Sequence, residues 1–297
     1  MTAELAALIT RHTDADRLYP TSVPGLQLMR WSTPSSPIYV SQPPCVALLV
    51  QGGKSLTVGG DELHYGPGQY LLTSIDMPVS SRITEASRAR PVLGIAVEIT
   101  GEGLRSITRH APDLAPDETR PGIAVHRAEP ELVDALVRLA RLLDRPQHAV
   151  ALAPVIQQEI LYWLLVGPSG GRLLQIARRD SPSNRVTRAI TLLREQFAAP
   201  LRVETLAREA GMSTSSFHSH FKTLCNTTPL QFQKQLRLHE ARRLILAEDM
   251  DIGGAAFAVG YESPSHFGRD YLRYFGRTPR ADHAAWAGTS LTAYAPA

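Results

Sequence analysis

The sequence has little cysteine, few aromatic residues and no long apolar run. Two cysteines in 297 residues, Cys45 and Cys225, cannot form a disulfide framework or a four-thiolate zinc site. That usage fits a reducing compartment. The longest apolar run, Ile160 to Val166, falls far short of the ~20 residues that a membrane span needs. The first twenty residues lack a basic stretch followed by an apolar one, so no signal peptide and no membrane partner are expected. Charge of one sign is also lacking, because the net charge is only +3.

What is present is ordinary for a globular protein: 43% apolar and 20% charged residues. At roughly 100–200 residues per domain the length predicts two domains. Charge is unevenly placed between the two halves. Residues 1–171 carry 14 Lys+Arg and 17 Asp+Glu, net −3, and the remaining residues carry 17 and 11, net +6. A basic C-terminal half suggests a polyanionic partner for that half.

Residues 20–100 read as short strands punctuated by Gly and Pro, the pattern of an antiparallel sandwich or barrel. The strand candidates are Val46–Val50, Ser55–Val58, Glu62–Tyr65, Tyr70–Thr73 and Pro91–Thr100. Helical spacing follows at 131–145 and 149–166. The run Gly167-Pro168-Ser169-Gly170-Gly171 then reads as a break. From Asn184 onward the pattern is helical. The expected division is a sensing domain at 1–167, a linker at 168–183, a helical domain at 184–286 and a tail at 287–297.

The helical part contains a duplication. Ala207 and Gly211 match Ala256 and Gly260 at an offset of 49, and Phe217, Phe221 and Pro229 match Phe267, Tyr271 and Pro279 at an offset of 50. Each copy reads as helix–turn–helix. The alanine lets a second helix cross closely, and the glycine four residues later supplies a left-handed turn. Ser213 and Ser263 are placed to cap the next helix, with Pro264 at its first position. Phe217, Phe221 and Leu224 share one helical face, repeated by Phe267, Tyr271 and Tyr274. A duplicated hairpin made only for packing would not require this small-residue, Gly-turn, Ser-cap order. Pro229 to Ala247 joins the copies and would span roughly 28 Å as a helix. That length suits two recognition helices on successive major-groove segments, ~34 Å apart.

At these residues the chain resembles the AraC/XylS family of bacterial transcription regulators. The resemblance covers about residues 184–284 and is carried most specifically by Gly260-Tyr-Glu-Ser-Pro-Ser-His-Phe-Gly-Arg-Asp-Tyr and Phe275-Gly-Arg-Thr-Pro279. Asn226 stands where the second copy has Gly276, and Asn tolerates the left-handed turn. The N-terminal half is similar, less specifically, to the cupin-like sensing domain of one branch of that family. Pro43-Pro44-Cys45 through Lys54, Tyr65-Gly-Pro-Gly-Gln-Tyr70 and Met77-Pro-Val79 carry that likeness. The resemblance implies an α+β chain. Its N-terminal half would be a cupin-like antiparallel β-barrel plus two helices. Its C-terminal domain would be all-α, with two helix–turn–helix units joined by a long helix.

The implied function is DNA-binding transcription regulation in the bacterial cytoplasm, at the nucleoid. The partners would be double-stranded DNA, an unknown small-molecule effector and, for an activator, RNA polymerase. The helices at 131–145 and 149–166 complete the domain or pair two chains as a homodimer. Positions that touch bases in the family correspond to Ser215, His218, Ser219, Ser265, His266 and Arg269. A guanidinium at Arg269 can bond guanine O6 and N7 together. Arg202, Lys222, Lys234, Arg237 and Arg243 are candidates for phosphate contacts, each with a solvated helix face as its alternative. Strand phase places Leu49, Gln51, Tyr70 and Leu72 inside the barrel as effector contacts, and a register error of one residue would reverse that set.

Enzyme readings find little support. Gly53-Lys54-Ser55 resembles the end of a phosphate loop, but Leu48 stands where the motif needs glycine. His218 and His220 point to different sides of a helix and cannot chelate together. Catalytic cupins hold a metal with several histidines, and His64 is the only one between residues 13 and 109. No catalytic residue, metal or cofactor is therefore expected. Cys45 reads as a small buried hydrophobe or as a sensor thiol. A regulator controlled by a protein partner or by oligomerisation, and a non-metal cupin enzyme fused to a DNA-binding module, are the alternatives.

Overall fold

The computed structural model describes residues 2–108, 117, 121–178 and 181–285. The chain divides into two compact units near Asn184. The expected tail at 287–297 lies outside the described residues.

The N-terminal unit is built on two antiparallel sheets. The larger orders β1 (Arg17–Pro20), β2 (Leu26–Trp31), β9 (Val92–Glu98), β4 (Cys45–Gln51), β7 (Gln69–Thr73) and β10 (Ile123–Arg127). The smaller orders β3 (Ile38–Gln42), β8 (Met77–Glu85), β5 (Gly53–Val58) and β6 (Asp61–Tyr65). All five strand candidates from the sequence fall on β4, β5, β6, β7 and β9. Side chains alternate across the larger sheet. Leu26, Leu28, Val46, Leu48, Ile95 and Val97 face a layer of helices and share its core. The intervening Gln27, Met29, Cys45, Ala47 and Ala96 face the smaller sheet across a cavity.

The helical layer is richer than the expected pair. It holds α1 (Thr2–Arg11), α2 (Gly101–Thr108), α3 (Pro130–Arg141), α4 (Pro146–Val166) and α5 (Gly170–Ala177). α5 corrects the expected linker at 168–183. Leu173, Leu174 and Ala177 are buried in the same core as α3 and α4. Gly170 and Gly171, read as a break, instead open the helix. Among the described residues, α4 alone is long and apolar enough to cross a membrane, with a mean hydropathy of 1.5. Its Ile160, Leu161, Leu164 and Leu165 are instead buried in this core. Val150, Leu152 and Val155 in its first half are exposed.

The C-terminal unit is helical: α6 (Pro182–Glu195), α7 (Val203–Glu209), α8 (Thr214–Cys225), α9 (Pro229–Ala247), α10 (Ile252–Ala258), α11 (Pro264–Phe275) and α12 (Pro279–Ala285). The duplication is repeated bond for bond. After α7, Gly211 N–H donates to Arg208 and Met212 N–H to Ala207. After α10, Gly260 N–H donates to Phe257 and Tyr261 N–H to Ala256. Both glycines take positive φ, 60° and 84°, where a side chain is strained. Gly260 has a second constraint. A Cβ there would lie 2.0 Å from the carbonyl oxygen of Ala198, whereas at Gly211 the nearest atom would be an Arg185 nitrogen at 3.9 Å. Ser213 Oγ accepts from Ser216 N–H at 3.3 Å and Ser263 Oγ from His266 N–H at 3.4 Å. Each serine thus caps its helix as its sequence position requires. Asn226 adopts φ 53° where the second copy has Gly276 at 73°.

α9 is the spine of this unit. Thr228 and Gln231 form a capping box at its start, and Phe232 packs edge-on against Phe221 of α8. Toward its other end, Arg242 forms a buried ion pair with Asp282 of α12 at 2.7 Å, and the Tyr271 hydroxyl of α11 donates to the same carboxylate at 2.7 Å. Burial works against the Asp282 charge. The bonds from Arg242 and Tyr271 outweigh it and hold the carboxyl below the usual carboxylate range. A depressed carboxyl stabilises the fold above its unfolded pKa, and the contribution is lost as pH falls through the folded value. Asp282→Asn should therefore destabilise the protein by about 3 kcal/mol at pH 7. Urea titrations should show the gap to the parent narrowing as pH is lowered through the acidic range. A gap independent of pH would exclude this role for the carboxylate.

Candidate DNA interface and effector cavity

The two second helices, α8 and α11, bury one face and expose the other. Phe217 and Phe221 are fully buried in α8, and Phe267 and Tyr271 in α11. This fixes which residues face outward. Ser215, His218 and Ser219 are exposed on α8, and Ser265, His266 and Arg269 on α11. All six candidate base readers are thus on exposed helix surface. They are not equivalent in their surroundings. His266 Nε2 lies 3.4 Å from the buried Asp270 carboxylate, and its ring meets Tyr261 edge-on at 5.7 Å. Arg269 makes no hydrogen bond or ion pair among the described residues, so its guanidinium is available to an external acceptor.

The five candidate phosphate contacts separate into two groups. Arg202 and Lys222 are exposed and unpaired among the described residues. Three others already have protein partners. Lys234 pairs with Asp270 at 2.9 Å, and Arg243 sits between Glu240 and Glu248 at 2.7 and 2.8 Å. Arg237 is turned inward. Its guanidinium donates to the carbonyls of Phe197, Ala198, Ala199 and Gly260 at 2.7–3.1 Å. Charge on a helix face suggested a phosphate contact for Arg237. The structure shows a bracket for backbone carbonyls that have no partner in their own turn. The exposed Arg208 and Arg273 are cations that the sequence argument passed over. Arg273 lies one helical turn beyond Arg269 on α11.

In the N-terminal unit a cavity of about 300 Å³ lies between the two sheets. Met29, Trp31, Val40, Pro43, Pro44 and Ala47 give it an apolar lining, and Cys45, Lys54, Tyr65 and Glu98 carry its ionisable groups. None of the four expected effector contacts lines it. Tyr70 and Leu72 point to the opposite side of the sheet, into the helical core. Gln51 follows an irregularity in the β4 register and donates to the Pro91 carbonyl at 2.7 Å. Leu49 has the expected inward phase but is fully buried beside Gly94. The physical reason is that both faces of the larger sheet are covered. β4 and β7 are apolar on both sides, so no polar alternation sets their phase.

The cavity's nucleophiles are not activated. Burial pushes the Cys45 thiol up to about 11, despite the Gln42 amide that donates to it at 3.1 Å. A neutral thiol of this kind is a poor sensor. Burial raises the Cys225 thiol as well. Lys54, which in the sequence stands within the cupin-like stretch and a discarded phosphate loop, is the missed residue. Its ammonium reaches across from β5 to β2 and meets Met29 Sδ at 3.5 Å. It forms no ion pair among the described residues. Burial lowers it to about 8. A lysine at an inward-facing strand position was the available signal.

Arg237→Ala should act on folding first. It removes the donor to the Ala198 and Gly260 carbonyls and one of two donors to those of Phe197 and Ala199, which also accept from Gln233 Nε2 at 2.9 and 2.8 Å, and losing charge-assisted bonds of this kind costs about 2–4 kcal/mol. Thermal or urea unfolding checks this. Unchanged stability with weakened DNA binding would return Arg237 to the phosphate class.

The family comparisons cover both units. A family model described as AraC-type transcriptional regulator N-terminus matches residues 22–172, and a helix-turn-helix domain model matches residues 206–284. The chain is 25% identical over 254 residues to the HTH-type transcriptional regulator ExsA of Pseudomonas aeruginosa, covering 84% of this chain and 89% of ExsA. It is 26% identical over 159 residues to the virulence regulon transcriptional activator VirF of Yersinia enterocolitica, covering 53% of this chain and 58% of VirF. Among solved structures, ToxT of Vibrio cholerae with an unsaturated fatty acid bound shares the fold, with a TM-score of 0.52 at 9% identity over 86% of this chain and 92% of ToxT. With the N-terminal model spanning half its length and two helix–turn–helix units following, the chain belongs to the AraC-type family of DNA-binding transcription regulators.

Proposed function

We propose that this regulator reads two successive major-groove segments of double-stranded DNA with α8 and α11, and that a small molecule in the N-terminal cavity controls the outcome. The duplicated turn and cap carry the reading. They present Ser215, His218 and Ser219 on one helix and Ser265, His266 and Arg269 on the other, with one rigid helix joining the units. Arg269 supplies the strongest base discrimination, and Arg202 and Lys222 hold phosphates. Ligand occupancy shifts the population competent to bind DNA, or to engage RNA polymerase where the protein activates. The fatty acid found on the fold neighbour ToxT supports the small-molecule part. The site of action is the cytoplasm, on chromosomal DNA, with a homodimer as the working assembly.

The test is an anisotropy titration of the full chain against its own upstream intergenic DNA and a scrambled control, at two salt concentrations. The expected selectivity is at least ~10³-fold. Arg269→Ala should weaken specific binding by about 10–100-fold and non-specific binding far less. Lys222→Ala should weaken both alike and reduce the salt slope by about 1. Equal losses on both DNAs for Arg269→Ala would make it a phosphate contact.

A further inference from the structure

The cavity contains two polar groups that no oxygen or nitrogen acceptor satisfies among the described residues. Lys54 on β5 and Tyr65 on β6 are direct cross-strand neighbours, so their side chains leave the sheet on the same face. Both line the cavity. The Lys54 ammonium has only the Met29 thioether, a weak acceptor. The Tyr65 residue is 4% exposed, and its hydroxyl has no hydrogen-bond partner among the described residues. Native proteins rarely leave buried donors unsatisfied, because each costs free energy that an acceptor would recover. A cationic donor beside a neutral O–H donor, both opening into an apolar chamber, is a site waiting for an anion with an apolar body.

The remaining ionisable groups narrow the class. Cys45 is held neutral by burial and adds no charge. Glu98 is exposed and forms no ion pair with Lys54, so it leaves the ammonium uncompensated. No arginine is among the residues that line the cavity. One cation balances one negative charge. A phosphate dianion would leave a net negative charge buried, which is unfavourable. At interior packing density the volume admits a molecule of roughly a dozen non-hydrogen atoms.

We propose that the cavity binds a small organic monocarboxylate with an apolar body, its two oxygens accepting from Lys54 Nζ and the Tyr65 hydroxyl. This rests on the reading of the cavity as the effector site and names the effector's chemistry. The anion restores the full charge of Lys54. Binding near pH 8 therefore takes up a proton from solution.

Calorimetry of the full chain with decanoate and with 2-naphthoate tests it, with 1-decanol and decyl phosphate as controls, at pH 8 in phosphate and in Tris. At least one acid should bind more than ~10-fold more tightly than either control. The difference in heat between the buffers should show proton uptake. Lys54→Met should weaken the acid by ~10–100-fold, abolish the proton uptake and leave 1-decanol unchanged. Tyr65→Phe should weaken it less. If neither acid binds, if decyl phosphate binds best, or if Lys54→Met binds the acid as well as the parent, the proposal is overturned. The selectivity for ligand charge and the proton count on the parent protein decide the matter even if a variant does not fold. DNA titrations on the same preparation separate the two readings. Selective DNA binding without acid binding overturns the ligand class alone. Acid binding without DNA selectivity upholds the site and overturns the regulatory role.

Discussion

The C-terminal unit depends on one bracket. Arg237, midway along α9, gathers the carbonyls of Phe197, Ala198 and Ala199 from the turn after α6, together with that of Gly260 from the turn between α10 and α11. Those carbonyls end helices, where no backbone donor is left for them. One planar guanidinium supplies donors at fixed angles, so it sets distance and direction together. The Arg242–Asp282–Tyr271 cluster does the same at the other end of α9. Between them, the orientation of α11 relative to α9 is set by directional bonds as well as by apolar packing. The proposed reading of two groove segments requires this, because a small rotation of one helix would put its side chains out of register with the bases.

Much of that unit was legible in the sequence. Its signals are local and chemical. Gly211 and Gly260 mark left-handed turns, Ser213 and Ser263 mark caps, and the Phe217–Phe221 and Phe267–Tyr271 spacings mark buried faces. Each is set within a few residues, so each survives in one dimension. The role of Arg237 was not legible, since its four acceptors lie 23 to 40 residues away along the chain. From the sequence it was one more basic residue on a helix.

In the N-terminal unit the strands were legible and their phase was not. Turn residues mark where β4 to β7 begin and end. Which side of β7 faces the cavity depends on what covers each face, and both faces are covered. Tyr70 and Leu72 were therefore assigned to the wrong side. Lys54 broke the apolar pattern and was the better guide. α5 was lost to the sequence argument for a related reason. Paired glycines usually punctuate, but the apolar residues that follow them found a place in a core already built by α3 and α4.

The two copies share a pattern but not a future. At Gly211 only the backbone angle is demanding, and Asn226 shows that this chain meets such an angle with asparagine. At Gly260 the angle and the space are both demanding, because the Ala198 carbonyl occupies the place of a Cβ. The first turn is thus held by its own angle alone, and the second is also pinned by its neighbour's backbone. A side chain at 211 would have only the angle to meet, and one at 260 would also have to displace the backbone that α6 leads into.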